Sequence, residues 1–159
     1  MKQILSLLVL AVFVSDLLGC AGESSAVSSL PLPGSQYVVL NEGQSTVDGI
    51  STKKQTKVIW SQVDYAAELA TYTSATPTSV DFTTGGVLLV DMGWRNTGGY
   101  SIGVTSVDVT DNSVVANIRL IKPASTCPVA QVITNPYQFV FIPHLKEILV
   151  SERVEIINC

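Results

Sequence analysis

The sequence predicts one α+β domain, a mainly antiparallel β-sheet of six or seven strands with one helix packed on it, over residues 36–159. Three observations lead to this fold class. Apolar residues alternate with a period of two over most of the segment after residue 85, one earlier segment has helical spacing, and the connections between segments are short. The chain of 159 residues has room for one domain of ordinary size.

The first half of the domain predicts two strands and the helix. Apolar runs at residues 37–40 and 57–60 are typical of short strands. Ser61 and Asp64 then match a capping box, in which the serine oxygen accepts a hydrogen bond from the amide three residues later. We therefore expect a helix over residues 62–72. Its apolar stripe comprises Tyr65, Leu69 and Tyr72.

The second half predicts further strands. Residues 87–90 are apolar on both faces, which indicates a central strand covered by the helix on one side. The apolar phase changes within residues 100–109, as a β-bulge would produce, and residues 114–120 alternate regularly, so these two segments form a hairpin. Two last strands are expected at residues 137–142 and around residues 153–156.

The amino-terminal segment predicts export and lipid attachment. Residues 1–19 have a short positive start and an apolar stretch too short to span a bilayer comfortably, as in a signal peptide. The stretch ends in Leu17-Leu18-Gly19-Cys20, which resembles the lipobox of bacterial lipoproteins. The alternative is an ordinary secretory signal with a chance cysteine, and Asp16 departs from the usual pattern.

The resemblance to lipoproteins implies that Cys20 is acylated and anchors the protein in the cell envelope. Because Ala21 is not the aspartate associated with inner-membrane retention in that family, we expect the outer membrane. Residues 20–35 are rich in small and polar residues, with two prolines and two glycines, and predict a flexible tether between the lipid and the domain.

Two cysteines remain once Cys20 is assigned to the lipid. Cys127 and Cys159 are an even pair in an oxidising compartment, so we expect a structural disulfide. Closing the loop 127–159 would stabilise the fold by ~3.7 kcal/mol in the chain-entropy model. Free thiols or a redox pair are the alternatives, and no neighbouring residue in the sequence would depress a thiol pKa.

Composition excludes several function classes. The net charge is −4 and the nine lysines and arginines are spread along the chain, which argues against a nucleic-acid partner. One histidine and three cysteines, without a CxxC or HExxH motif, leave little material for a metal site, and we expect no cofactor. His144 could serve a serine nucleophile, but there is no G-x-S-x-G elbow. We therefore assign no catalytic residue.

A family resemblance is carried by two blocks. The first is Gly85-Gly86-Val87-Leu88-Leu89-Val90 with Gly93 and the segment from Asn96 to Ile102; the second is Pro123 followed by Gln131 to Val140. Together they resemble the PrcB C-terminal domain family, over about residues 58–143. The resemblance implies a small lipoprotein subunit of a surface protease complex, which associates with a protease precursor and stabilises it. The two cysteines and the lead-in at residues 37–54 are not parts of that pattern.

Four residues around one turn are the candidate partner contacts: Trp94, Arg95, Asn96 and Tyr100. Tryptophan and arginine are enriched at interface hot spots, whereas the glycines of the adjoining Thr97-Gly98-Gly99 are explained by a hairpin turn. The structural alternative is that Tyr100 and the Trp94-Arg95 pair simply pack at the edge of the core. A calcium site at Asp108 and Asp111 is a weaker alternative to turn formation.

We expect a non-catalytic, membrane-anchored protein-binding module with an extracytoplasmic partner, which the family resemblance implies is a protease. The alternatives are a protease inhibitor that presents residues 94–100 to a cleft, a small hydrolase or small-ligand carrier, and a structural envelope lipoprotein. A pocket with converging polar groups at His144 would favour the hydrolase or carrier. A structural lipoprotein would have no exposed apolar patch.

Overall fold

A computed structural model describes residues 36–45 and 52–159 of the chain. The predicted signal peptide (1–19) and the predicted acylation site and tether (20–35) lie outside the described residues. Within the described residues, no helix is long and apolar enough to cross a membrane.

Seven strands and one helix make up the described part of the chain, in agreement with the predicted α+β class. They are β1 (Val38–Gln44), β2 (Gln55–Ile59), α1 (Gln62–Ala70), β3 (Gly86–Asp91), β4 (Ser101–Val109), β5 (Ser113–Pro123), β6 (Pro136–Ile142) and β7 (Glu147–Ile157).

The strands form two sheets, which corrects the prediction of one sheet. The first is antiparallel throughout with the order β1-β6-β3-β2, and the second has the order β4-β5-β7. In the second sheet β4 and β5 form the predicted hairpin, but β7 runs parallel to β5. After β5 the chain forms β6 in the first sheet and then returns to the second sheet. Strand β7 therefore starts at the same end of the second sheet as β5 and runs parallel to it.

The helix begins as its capping box predicts. Ser61 has extended backbone angles, and its Oγ accepts a hydrogen bond of 3.1 Å from the Asp64 amide. The helix ends at Ala70 rather than at the predicted residue 72. Thr71, the residue that caps this end, donates a bond of 2.8 Å from its Oγ1 to the Glu68 carbonyl. Tyr72 follows the helix and is buried nonetheless.

Strand β3 is an inner strand of the first sheet, and every residue in it is buried. Val87 and Leu89 face α1, whereas Leu88 and Val90 face the second sheet. The strand therefore has two apolar faces, as expected for a central strand. The cluster between α1 and the first sheet comprises Ile59, Tyr65, Leu69, Tyr72, Val87, Leu89, Tyr137 and Phe139.

The predicted β-bulge lies between Val104 and Ser106, where the register of β4 against β5 shifts. Thr105 is the extra residue. On the edge of β4 that faces away from β5, the Val104 amide donates a bond of 2.8 Å to Oε1 of Gln138, a side chain of the first sheet. This bond links the two sheets, and within the first sheet Gln138 Nε2 donates to Glu42 Oε2 of β1 at 2.7 Å.

A disulfide joins Cys127 and Cys159, whose Cα atoms are 5.3 Å apart. Close to it, the Ala124 amide donates a bond of 3.0 Å to the Ile157 carbonyl. The loop after β5 is therefore fastened to the end of β7.

Candidate protein-interaction site

The loop of residues 93–99 leads from the first sheet to the second, and its position is set by a buried carboxylate. Asp91 is fully buried at the end of β3, and its Oδ1 accepts a bond of 2.7 Å from the Gly93 amide. Gly93 has a φ of 70°, and a Cβ there would lie 2.6 Å from the backbone carbon of Lys53. Only glycine fits this close approach without strain.

The other carboxylate oxygen of Asp91 connects the end of β3, where this loop begins, to the core. Tyr72 donates its hydroxyl proton to Asp91 Oδ2 at 2.8 Å, and Gln55 Nε2 donates to the same oxygen at 3.2 Å. Burial, and then the bond to Asp91, raise the pKa of Tyr72 well above its usual range. The phenol therefore stays protonated and remains a donor to the carboxylate at every physiological pH.

A second loop lies alongside the first and holds it by main-chain hydrogen bonds. Arg95 and Thr134 exchange two amide-to-carbonyl bonds of 2.8 and 2.9 Å, and Gly98 donates to the Ala130 carbonyl at 2.8 Å. Thr134 Oγ1 adds a bond of 3.1 Å to the Thr97 carbonyl. Residues 93–99 and 130–134 together are called the paired-loop surface below.

Three large apolar side chains of the paired-loop surface are exposed. Trp94 is 37% exposed, Val132 52% and Ile133 62%. Because Arg95 pairs with Thr134 in the antiparallel sense, the residue after Arg95 lies opposite the residue before Thr134, which sets exposed Asn96 beside Ile133. Arg95 is the only charged residue of this surface, so it presents mainly apolar and neutral polar groups.

Two of the four predicted contact residues, Arg95 and Tyr100, make contacts inside the molecule. The Arg95 guanidinium donates to the Met92 carbonyl and lies 5.8 Å from the centre of the Tyr100 ring. Tyr100 is half-buried and packs against the larger core cluster. Trp94 and Asn96 are the more exposed of the four, whereas Arg95 and Tyr100 are half-buried. Arg95 and Tyr100 thus position the loop.

Val132 and Ile133 have no counterpart among the predicted contact residues. The available signal was a pair of adjacent β-branched residues in a loop that carries no alternating pattern. Their place beside Asn96 depends on a pairing between segments that are distant in sequence.

Among the described residues no group of His, Cys, Asp and Glu side chains could hold a metal ion. Two clefts of about 530 and 370 Å³ lie between β1 and β4 and are open to solvent, and His144 lines neither of them. Ligand pockets usually enclose most of their ligand, which these two clefts would not do.

The fold and the surface define a class: a small two-sheet α+β domain with a braced, apolar pair of loops. Residues 87–143 match the family model described as PrcB C-terminal, so the resemblance seen in the sequence is confirmed over this segment, and the match does not reach the predicted start near residue 58. The matched segment runs from β3 to β6 and contains both loops of the paired-loop surface. The helix, β7 and Cys159 lie outside it. No curated protein and no solved structure gives a significant match to the chain.

Proposed function

We propose that this protein is a non-catalytic, lipid-anchored binding module that serves as an accessory subunit of an extracytoplasmic protease complex and stabilises its partner. The observation that carries the proposal is the exposure of Trp94, Val132 and Ile133 on two loops that are braced against each other. The PrcB C-terminal match supports a role associated with a protease complex.

The paired-loop surface has the properties of an interface core. Apolar side chains exposed together mark interaction sites more often than scattered single residues do. The four hydrogen bonds between the loops fix the backbone before any partner binds. Less conformational entropy is then lost on association, which favours affinity. Exposed Trp94 is of a residue type that is enriched among interface hot spots.

Stabilisation would follow from mass action. A subunit that binds only the folded form of its partner raises the partner's stability by about 2.7 kcal/mol when present at a hundred times its dissociation constant. Acylation of Cys20 would raise the local concentration of the module at the membrane. The lipobox and the residue after it support a place in the cell envelope, at the outer membrane.

Site-specific photocrosslinking tests the location of the interface. A photoreactive phenylalanine analogue is placed at Asn96 or Ile133 of the full chain, and at Val63 as a control, an exposed apolar residue on α1. We expect irradiation of intact cells to join the first two variants to the same protein, identified by mass spectrometry, and to leave the Val63 variant without it. Equal crosslinking at Val63, or none at Asn96 and Ile133, would contradict the proposed interface.

A further inference from the structure

Among residues 36–45 and 52–159, nothing pairs with the second edge of strand β7, at the border of the second sheet. Within the described residues it pairs with β5 alone, over its whole length from Glu147 to Ile157. The Ile157 carbonyl accepts from Ala124, on the β5 side, so this residue points its main-chain groups toward β5. Main-chain groups alternate along a strand in a parallel pair, so those of Glu152, Val154 and Ile156 point to the open edge.

The face of β7 that joins the core is covered at only one end of the strand. Ile148 is buried in the larger core cluster, whereas Val154 and Ile156, on the same face, are 52% and 63% exposed. The β5 neighbour of Val154 is Leu120, which is buried. The carboxyl-terminal half of β7 therefore extends the core face with apolar side chains that lack cover.

On the opposite face of β7, the described charged side chains are not all paired with an opposite charge within one copy of the chain. Arg153 forms no ion pair among the described residues and lies beside Arg119 of β5, a like charge. Glu155 reaches Arg119 at only 3.7 Å, and both side chains are about half exposed. An acidic group on the open edge, opposite Arg153, would offset the repulsion between the two arginines.

We propose that a second copy of this chain supplies that group, by antiparallel pairing of β7 with β7 about a two-fold axis at Val154. The axis sets Arg153 of each copy opposite Glu155 of the other, and Glu152 opposite Ile156. The outward main-chain groups then meet in three hydrogen-bonded pairs, worth about six bonds. On the core-facing side Val154 of one copy lies opposite Val154 of the other, and Ile156 flanks it on each strand. Glu152, which pairs with Lys54 within its own copy, lies opposite Ile156.

The charges select this register over its neighbours. An axis at Glu152 would oppose two glutamates, and an axis at Arg153 would oppose two arginines; like charges directly opposite destabilise a sheet. Registers that pair odd with even positions would place the core face of one copy beside the outer face of the other. The dimer is independent of the paired-loop surface, because Trp94 and Ile133 belong to other segments.

Charge reversal tests the dimer and its register together. The full chain is purified in detergent, and its dimerisation is measured by analytical ultracentrifugation as a function of concentration. We expect a dimer whose dissociation constant rises about tenfold or more in Arg153→Glu, because two attractive cross-strand pairs become repulsive. The double variant Arg153→Glu/Glu155→Arg should restore the affinity, which a variant that merely misfolds would not do.

Cysteine crosslinking provides a second measurement in the native membrane. Val154→Cys lies on the proposed axis and should form an intermolecular disulfide on oxidation, whereas Ser151→Cys on the same strand is remote from its counterpart and should not. A wild-type protein that remains monomeric at all concentrations would overturn the proposal. So would a dimer that Arg153→Glu leaves unchanged, or equal crosslinking by the two cysteine variants.

Discussion

Replacing Asp91 by alanine is expected to lower the free energy of unfolding by about 3–5 kcal/mol. The carboxylate is fully buried and accepts hydrogen bonds from three donors, namely Tyr72, Gln55 and the Gly93 amide. Alanine removes both carboxylate oxygens, so all three donors lose their acceptor. The Tyr72 hydroxyl and the Gly93 amide would then be buried without the partner that holds them in place, and buried unsatisfied donors are costly.

Urea unfolding, followed by circular dichroism, measures the loss. The control is Asp111→Ala, which removes an exposed carboxylate in the β4–β5 turn and should change the free energy by no more than about 0.5 kcal/mol. Asp91→Asn keeps the size of the side chain and one acceptor oxygen, so it should fall between the two. If Asp91→Ala lowered the free energy of unfolding by less than about 1 kcal/mol, the carboxylate would not be what holds the end of β3 and the following loop in place.

Removing the disulfide is the second large effect. The double variant Cys127→Ala/Cys159→Ala is expected to lose about 3.7 kcal/mol, because the unfolded chain regains the freedom of a closed loop whose ends are 32 residues apart. The bond also fastens the loop that leads to Val132 and Ile133 to the end of β7. Photocrosslinking at Ile133 should therefore weaken along with stability.

Adding reductant distinguishes the effect of losing the disulfide from the effect of the two alanine substitutions. Urea midpoints of the wild type with reductant should approach those of the double variant, while the double variant itself should not respond to reductant. Identical midpoints for the oxidised and reduced wild type would show that the bond contributes nothing to stability.

The elements that sequence predicts well are those with a local signal. The Ser61 cap, the doubly apolar β3 and the phase change at Thr105 each depend on residues within one turn or strand, and each is present in the structure. The division into two sheets is different in kind. It depends on which strands pair, and the parallel direction of β7 follows only once β6 is known to lie in the other sheet.

The same distinction between local signals and long-range pairing explains which residues of the candidate site could be predicted. Trp94 could be selected from its residue type and its place beside a turn, and it is exposed. Arg95 was selected by the same rule, but its guanidinium is taken up by the Met92 carbonyl and the Tyr100 ring. Residue type alone does not reveal whether a donor is used internally. Val132 and Ile133 join the site only through the Arg95–Thr134 pairing.

Co-purification tests the central claim most directly. The full-length protein is isolated from detergent-solubilised envelopes, beside Trp94→Ser/Ile133→Ser and the control Val63→Ser, which makes an exposed apolar position on α1 polar. The account predicts a near-stoichiometric protease with the wild type and with Val63→Ser, at least about tenfold less with the double variant, and faster loss of protease activity when the protein is absent. A protease whose activity rises in its absence would identify an inhibitor instead. A folded, acylated protein that brings down no partner, or a partner retained by the double variant, would contradict the account.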